Sequence, residues 1–441
     1  MMKKKLTAAE QQFGPLRDLT VETSALQIAH QRFDFGRDSA VAQHIVQRCL
    51  AALEEHDRRQ GVVRVPPFTL RLDHGGASLP ISLLNAEMLG RLVAGDPYSQ
   101  VLRDLREGIF KDLFACDRHV TMDLVRRWLA PSERLASRGR LLRQNDKPTP
   151  SDAECRMDLT RLRNTLSVPT SLLPAPLEMP PPPATITTVL GPVIEKEGKS
   201  PELASSFISH IMALRERFCP RLDELDSGQL VAIALDVSDR RMSLKTRYRR
   251  HLPVRLTLFR DNELAEIETF GPRDRDAVDR LLQRRVARLL TEAYCQGGLL
   301  TLTLAGLLSH LTNTRVSQLV NDFEASQGLI LPTPGTIHDA GSKLTHKAAI
   351  VRLHLGGMEC KDIARQTFHC EEAVGRYVDD FERVLIALAH GLPSSLLGRV
   401  LRLGAHVVVQ YEKLIRQHIG GIDQVRALLA RRGVQVEEQA A

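Results

Sequence analysis

Apolar residues recur at helical spacing along much of the chain. Val41, Ile45, Val46, Cys49, Leu50 and Leu53 fall on one face and predict an amphipathic helix over residues 39–56. Residues 68–72 and 78–84 read as short strands, and helical spacing returns over 96–114 and 121–129. Beyond residue 200 the pattern predicts a long helix over 201–218, then strands over 230–237 and 252–259 that would pair. After Asp274 it is helical almost throughout.

The pattern lapses between residues 168 and 188, where seven prolines stand: Pro169, Pro174, Pro176 and Pro180, Pro181, Pro182, Pro183. Proline removes a backbone donor and fixes φ, so this stretch reads as an extended connector. The expected organisation is an α+β N-terminal domain over 1–165 and a proline-rich linker over 166–200. A helix with a basic β-hairpin follows over 201–290, a winged helix-turn-helix over 291–340, and a second helix-turn-helix with C-terminal helices over 341–441. The fold class is mainly α with small β elements, its C-terminal half carrying the tandem helix-turn-helix.

Two segments carry candidate chemistry. In the first, Leu302, Leu304, Ala305, Leu307 and Leu308 predict a short helix. Thr312, Asn313 and Thr314 make a polar turn, and a second helix over 315–323 turns Val316, Leu319 and Val320 inward. Residues 328–335 read as a small hairpin, the wing of a winged unit. Arg315, Gln318 and Asn321 then share the exposed face of the second helix. Arginine suits guanine, and glutamine or asparagine suits adenine, so these three are the expected base readers.

In the second, a helix over 346–355 ends at Gly356 and Gly357, and a short helix over 360–367 turns Ile363 and Ala364 inward. A turn at Phe368, His369 and Cys370 leads into a long helix over 371–388. Arg376 is its expected base contact and Lys361 a backbone contact. Glu371 and Glu372 at its start favour the helix dipole but repel phosphate, which leaves a protein-facing module open as an alternative.

Charge sharpens the picture. From residue 240 to 260 stand eight basic residues and no acid. Arg240, Arg241, Lys245, Arg247, Arg249 and Arg250 are expected to clamp the DNA backbone, with Lys343, His346 and Lys347 adding a second contact. The 441 residues carry a net charge of +7, a mild bias toward a polyanionic partner. Seven scattered cysteines fit reduced thiols rather than a disulfide scaffold. No apolar run is long enough to span a bilayer, and Met1 to Leu6 passes into polar residues where a secretory signal needs apolar ones. A cytoplasmic protein is expected, with no membrane partner.

Other classes fare worse. Gly191, Gly198, Lys199 and Ser200 imitate a phosphate-binding loop, but Val193 stands where glycine is needed. His354, Cys360, His369 and Cys370 cluster without zinc-ligand spacing, so neither metal nor cofactor is expected. Asp236 closes an apolar strand as the first carboxylate of a transposase or recombinase would, but no second strand ending in Asp follows.

The strings GTIHDAGSKLTHKAAI (335–350), DIARQTFHC (362–370) and RYVDDFER (376–383) resemble an uncharacterised prokaryotic family, domain of unknown function 1670. LPVRLTL (252–258) and EAYCQGG (292–298) fit the same resemblance, which spans residues 230–415 and, more faintly, 32–56. It implies helix-turn-helix DNA binding and no particular activity. The expected function is sequence-specific binding of double-stranded DNA without catalysis, as a transcriptional or mobile-element regulator. The alternatives are a transposase or recombinase using Asp236 and a helical protein-interaction scaffold. Long helices expected over 396–418 and 423–432 leave a homodimer open.

Overall fold

The computed structural model describes residues 7–33, 35, 39–98, 100, 101, 103, 104, 107, 124, 127, 128, 182–239, 249–270, 274–327, 330–338, 344–367 and 371–434. The chain divides into two units, Met1–Phe323 and Glu324–Ala441. Among the described residues no helix is long and apolar enough to cross a membrane.

The first unit opens with α1 (Ala8–Asp18), α2 (Val21–Arg32) and α3 (Ser39–Arg59). Thr7 and Thr20 cap the first two through their hydroxyls, each in a reciprocal capping box. Strands β1 (Thr69–His74) and β2 (Ala77–Ser82) form an antiparallel hairpin followed by α4 (Ala86–Ala94). The chain then supplies α5 (Ala184–Glu195) and α6 (Pro201–Phe218), the latter started by the Ser200 cap with proline in the first turn.

Strand β3 (Gln229–Asp236) lies between β4 (His251–Thr257) and the two-residue β5 (Gly298–Leu299), both antiparallel to it. Pro253 is tolerated because β4 is an edge strand and needs no donor on its outer side. Helices α7 (Asp261–Thr269), α8 (Arg275–Cys295), α9 (Leu302–Ser309) and α10 (Asn313–Gln327) follow, and the division between the units falls inside α10.

One core joins α2, α3, α5 and α6. It includes Ala29, Ile45, Cys49, Ile186, Leu190 and Phe207, and Phe33 and Phe35 stand edge-on to Phe207 at 5.2 and 4.8 Å. Such aromatic pairs add about 0.5–1.5 kcal/mol beyond their burial. At the edge of this core Asp57 accepts from Arg64 Nε at 2.6 Å and from Arg215. Two expectations change here. Residues 166–200 are not a linker throughout, because Pro183 gives way at once to α5, whose Ile186, Leu190 and Ile194 are buried. Residues 166–181 lie outside the described set. Helix α3, expected in the N-terminal domain, and α6, expected in the region after the linker, share this core.

A second anchor is ionic. Glu263 of α7 is only 7% exposed, and it accepts from Arg285 Nε at 2.6 Å and Arg288 Nη1 at 2.5 Å, both on α8. Arg288 also donates to the Thr257 and Leu258 carbonyls at the end of β4, and Arg285 to the Arg127 carbonyl. A buried charge is tolerated only when paired and hydrogen-bonded in this way.

The second unit holds α11 (Pro334–Ile337), α12 (Leu344–Leu355), α13 (Cys360–Thr367), α14 (Glu371–Ala389), α15 (Ser394–Val400), α16 (Ala405–His418) and α17 (Ile422–Arg431). Helix α14 serves two cores. Near its start Val374 and Val378 meet Ile350, Ile363 and Ala364; farther along Phe381, Val384 and Leu385 meet Val408, Tyr411, Leu414 and Val425. Two more expectations change. The helix expected over 396–418 is broken at 401–404, where Arg402 turns left-handed with φ 57°. The wing expected over 328–335 contains no strand among its described residues: Thr333 instead caps the helical turn α11, and Pro332 and Pro334 supply no ladder donors.

Glu263→Gln keeps the side chain's shape and leaves two buried guanidiniums without a counter-charge. It should cost about 3–5 kcal/mol, read from urea unfolding near neutral pH. Burial pushes the Glu263 carboxyl up, but the two guanidiniums outweigh it and hold it below its ordinary value. With the folded value below the unfolded one, the carboxylate's contribution is complete above the unfolded value of about 4.3. It is lost as pH falls through the folded value, so the gap between wild type and variant should close in acid.

Candidate nucleic-acid interface

Helices α9 and α10 form the first helix pair read from the sequence. Thr301 caps α9 through Leu304 N, and residues Thr303 to Ser309 are buried. His310 then turns left-handed, and Leu311 N donates back to the Gly306 carbonyl at 2.9 Å. A Cβ on Gly306 would lie 2.7 Å from the Leu311 carbonyl oxygen, so the turn closes only over glycine. Thr312 Oγ1 accepts from Arg315 N at 3.3 Å and caps α10, whose Val316, Leu319, Val320 and Phe323 face inward. Two side chains from earlier in the chain brace the pair: Trp128 Nε1 donates to Leu308 O at 2.7 Å and Tyr98 Oη to Leu311 O at 3.2 Å.

On the outer side of α10, Gln318 and Asn321 are exposed. Arg315 is half-buried. Its Nη2 meets Asp279 Oδ1 of α8 at 2.5 Å, and its Nη1 donates to Gln318 Oε1 at 3.3 Å. An anion that claims this guanidinium must first displace Asp279.

In the second unit α13 packs between α12 and the start of α14, with Ile363, Ala364, Val374 and Val378 buried. Lys361 and Arg376 are exposed. So are Glu371, Glu372 and Asp379, which makes the outer face of α14 predominantly acidic. The turn at 368–370 and Lys343 lie outside the described residues, and the His346 side chain does as well. Lys347 does not project freely to a phosphate. Its ammonium lies 5.7 and 5.9 Å from the ring centres of Tyr377 and Tyr411 and donates to Gln410 Oε1 at 3.2 Å. These contacts tie α12 to α14 and α16.

The arginine-rich connection between β3 and β4 is described only at its ends. Arg240, Arg241, Lys245 and Arg247 fall outside the described residues. Arg249 is 8% exposed and donates to the Asp239 carbonyl, so it is an internal anchor and not a phosphate clamp. Arg250 keeps most of its side chain in solvent, but Nη2 donates to Ser238 Oγ at 3.0 Å and Nε pairs with Asp236 Oδ2 at 3.5 Å. Asp236 also accepts from Ser238 N and Oγ at 2.8 and 2.6 Å. Its carboxylate therefore closes a turn, and among the described residues no three His, Cys, Asp or Glu side chains converge as a metal site would require.

Among the described residues the architecture is mainly helical, with two small antiparallel sheets. Residues 199–414 match the model of the family described as protein of unknown function (DUF1670). The match begins one residue before the Ser200 cap of α6 and ends within α16, so it reaches about thirty residues farther upstream than the resemblance read over 230–415. No curated protein and no solved structure matches the chain.

Gly306→Ala should open the turn after α9 and lower stability by about 1–3 kcal/mol, as overpacking does. Gly375 lies inside α14, and a Cβ added there would meet nothing within 4 Å. Gly375→Ala should instead stabilise by about 0.5–1 kcal/mol, and thermal unfolding of both variants checks the contrast.

Proposed function

We propose that this protein binds double-stranded DNA through helix-turn-helix units and performs no catalysis, acting as a regulator of transcription or of a mobile element. The observation that carries this reading is a register shared by two helix pairs. In α9–α10 the small residue is Gly306, with Val316 and Leu319 ten and thirteen positions later. In α13–α14 it is Ala364, with Val374 and Tyr377 at the same distances. A small residue lets two helices cross closely, and the apolar pair on the second helix seals it onto the first. The short helix then braces the start of the longer one, and the outer face of the longer one is left for a groove. Gln318 and Asn321 stand about one turn apart on such a face, and either side chain can bridge adenine N6 and N7. Arg376 is the corresponding cation of α14.

One observation favours a second reading, a helical module that binds protein. Glu371, Glu372 and Asp379 line the outer face of α14, and carboxylates repel phosphate.

Anisotropy of a labelled mixed-sequence duplex tests the first reading. Binding should be evident at about 50 mM salt and weaken by about a hundredfold at 200 mM if about four phosphates are engaged. Gln318→Ala with Asn321→Ala should flatten the preference among duplexes selected from a random pool, at about 1–3 kcal/mol per lost base contact. Asp279→Asn releases Arg315 and should tighten binding. A chain that binds no duplex at low salt would leave the protein-binding reading in its place.

A further inference from the structure

The end of the second unit holds a third helix pair in the same register. Gly398 sits in α15, and Val408 and Tyr411 follow it at ten and thirteen positions, on α16. The backbone repeats as well as the spacing. Four residues after the glycine the chain turns left-handed, at Arg402 (φ 57°) here and at His310 (φ 58°) in α9–α10. One residue farther, Leu403 N donates to Gly398 O at 3.0 Å, as Leu311 N does to Gly306 O at 2.9 Å. A Cβ on Gly398 would lie 3.0 Å from the Leu403 carbonyl oxygen, the equivalent atom to the one 2.7 Å away at Gly306 and a milder obstruction. Val408 and Tyr411 are buried, as are Val316 and Leu319. The helices have 7 and 14 residues, against 8 and 15 in the first pair.

Charge sets this pair apart. Residues 359–383, which include α13 and the outer face of α14, contain seven acids and four bases. Residues 391–434 contain seven bases and two acids, Glu412 and Asp423. Glu412 has its Oε1 buried, and the first turn of α16 carries no acid. The inner side of α16, with Val408, Tyr411, Leu414 and Ile415, is buried in the core shared with α14. The opposite stripe, at three- and four-residue spacing, is His406, Val409, Lys413 and Arg416, all exposed. Lys413 and Arg416, like Arg399 and Arg402 beside them in the chain, make no hydrogen bond or ion pair with the described residues. Arg315, Arg249 and Lys347 are all committed inside the protein; these four cations are not. Val409 is 62% exposed in the middle of the stripe, an apolar group suited to a thymine methyl.

We infer that α15–α16 is a third helix-turn-helix, and that the second unit meets duplex DNA on the outer face of α16. His406 and Val409, near the start of the helix, reach the base edges of the major groove. Lys413 and Arg416 hold phosphates farther along it, and Arg399 and Arg402 hold the backbone from α15 and the turn. This rests on the reading of the chain as a duplex-DNA binder, and it moves the contact in the second unit from the acidic face of α14 to α16. Helix α14 then becomes the support on which α16 is mounted.

The test compares charge reversals in the full chain on a labelled mixed-sequence DNA duplex. Lys413→Glu with Arg416→Glu should weaken binding more than tenfold. It should also lower the slope of log affinity against log salt by about 1.8, at about 0.9 per phosphate contact. Arg365→Glu with Arg383→Glu, exposed on α13 and α14, should weaken it less than threefold. The milder Lys413→Gln with Arg416→Gln should follow the first variant in direction, and unchanged circular dichroism would separate lost contact from lost fold. An RNA duplex should bind more weakly, because its major groove is too deep and narrow for a helix. Equal binding of the RNA duplex, or wild-type affinity and slope in the Lys413 and Arg416 variants, overturns the assignment to α16 while leaving DNA binding in place. A wild-type chain that binds no duplex at all overturns both.

Discussion

The arrangement of the first unit depends on one buried carboxylate. Glu263 is surrounded by protein, and its charge is stable there only because Arg285 and Arg288 each give it a short hydrogen bond. Those guanidiniums direct their other donors to carbonyls at the end of β4 and at Arg127, which sets α8 against the sheet and against α7. Helix α8 in turn carries Asp279, the partner of Arg315. The helix fixed by this buried salt link is thus the one that presents the counter-charge to Arg315.

Arginine has two occupations in this chain. Arg64, Arg71, Arg215, Arg285 and Arg288 all donate to backbone carbonyls between elements, work for which a planar fork of five donors is suited and an ammonium is not. Their positive charge is architectural and says little about partners. The net charge of +7 is thus a poor measure of how much cationic surface is presented.

Local signals were legible where the chemistry is local. The bounds of α6 follow from Ser200 and Pro201 at one end and the last apolar residue, Phe218, at the other; the bounds of α13 and the pairing of β3 with β4 follow from apolar pattern alone. The break between α15 and α16 was hidden because Leu401 and Leu403 keep the apolar rhythm through the turn, and an arginine, not a glycine, takes the left-handed position. The proline run obscured α5, whose own apolar face starts only three residues after Pro183. Direction is the harder matter. Arg249 and Arg250 are neighbours in one basic run, and only one of them points inward. The partner of Arg315 lies 36 positions away, beyond the reach of any periodicity. The helices that carry the candidate residues were therefore readable, and which of their cations were already engaged was not.

The core shared by α3, α5 and α6 has a consequence for what may be cut from this protein. The stretch held in common with the family starts at residue 199, yet Phe207, Ile208 and Ile211 of α6 owe their dryness to helices that precede it. Trimmed to the inherited portion, the polypeptide would present an oily flank to water and invite clumping. Kinship and physical self-sufficiency draw their borders at different places along this polymer.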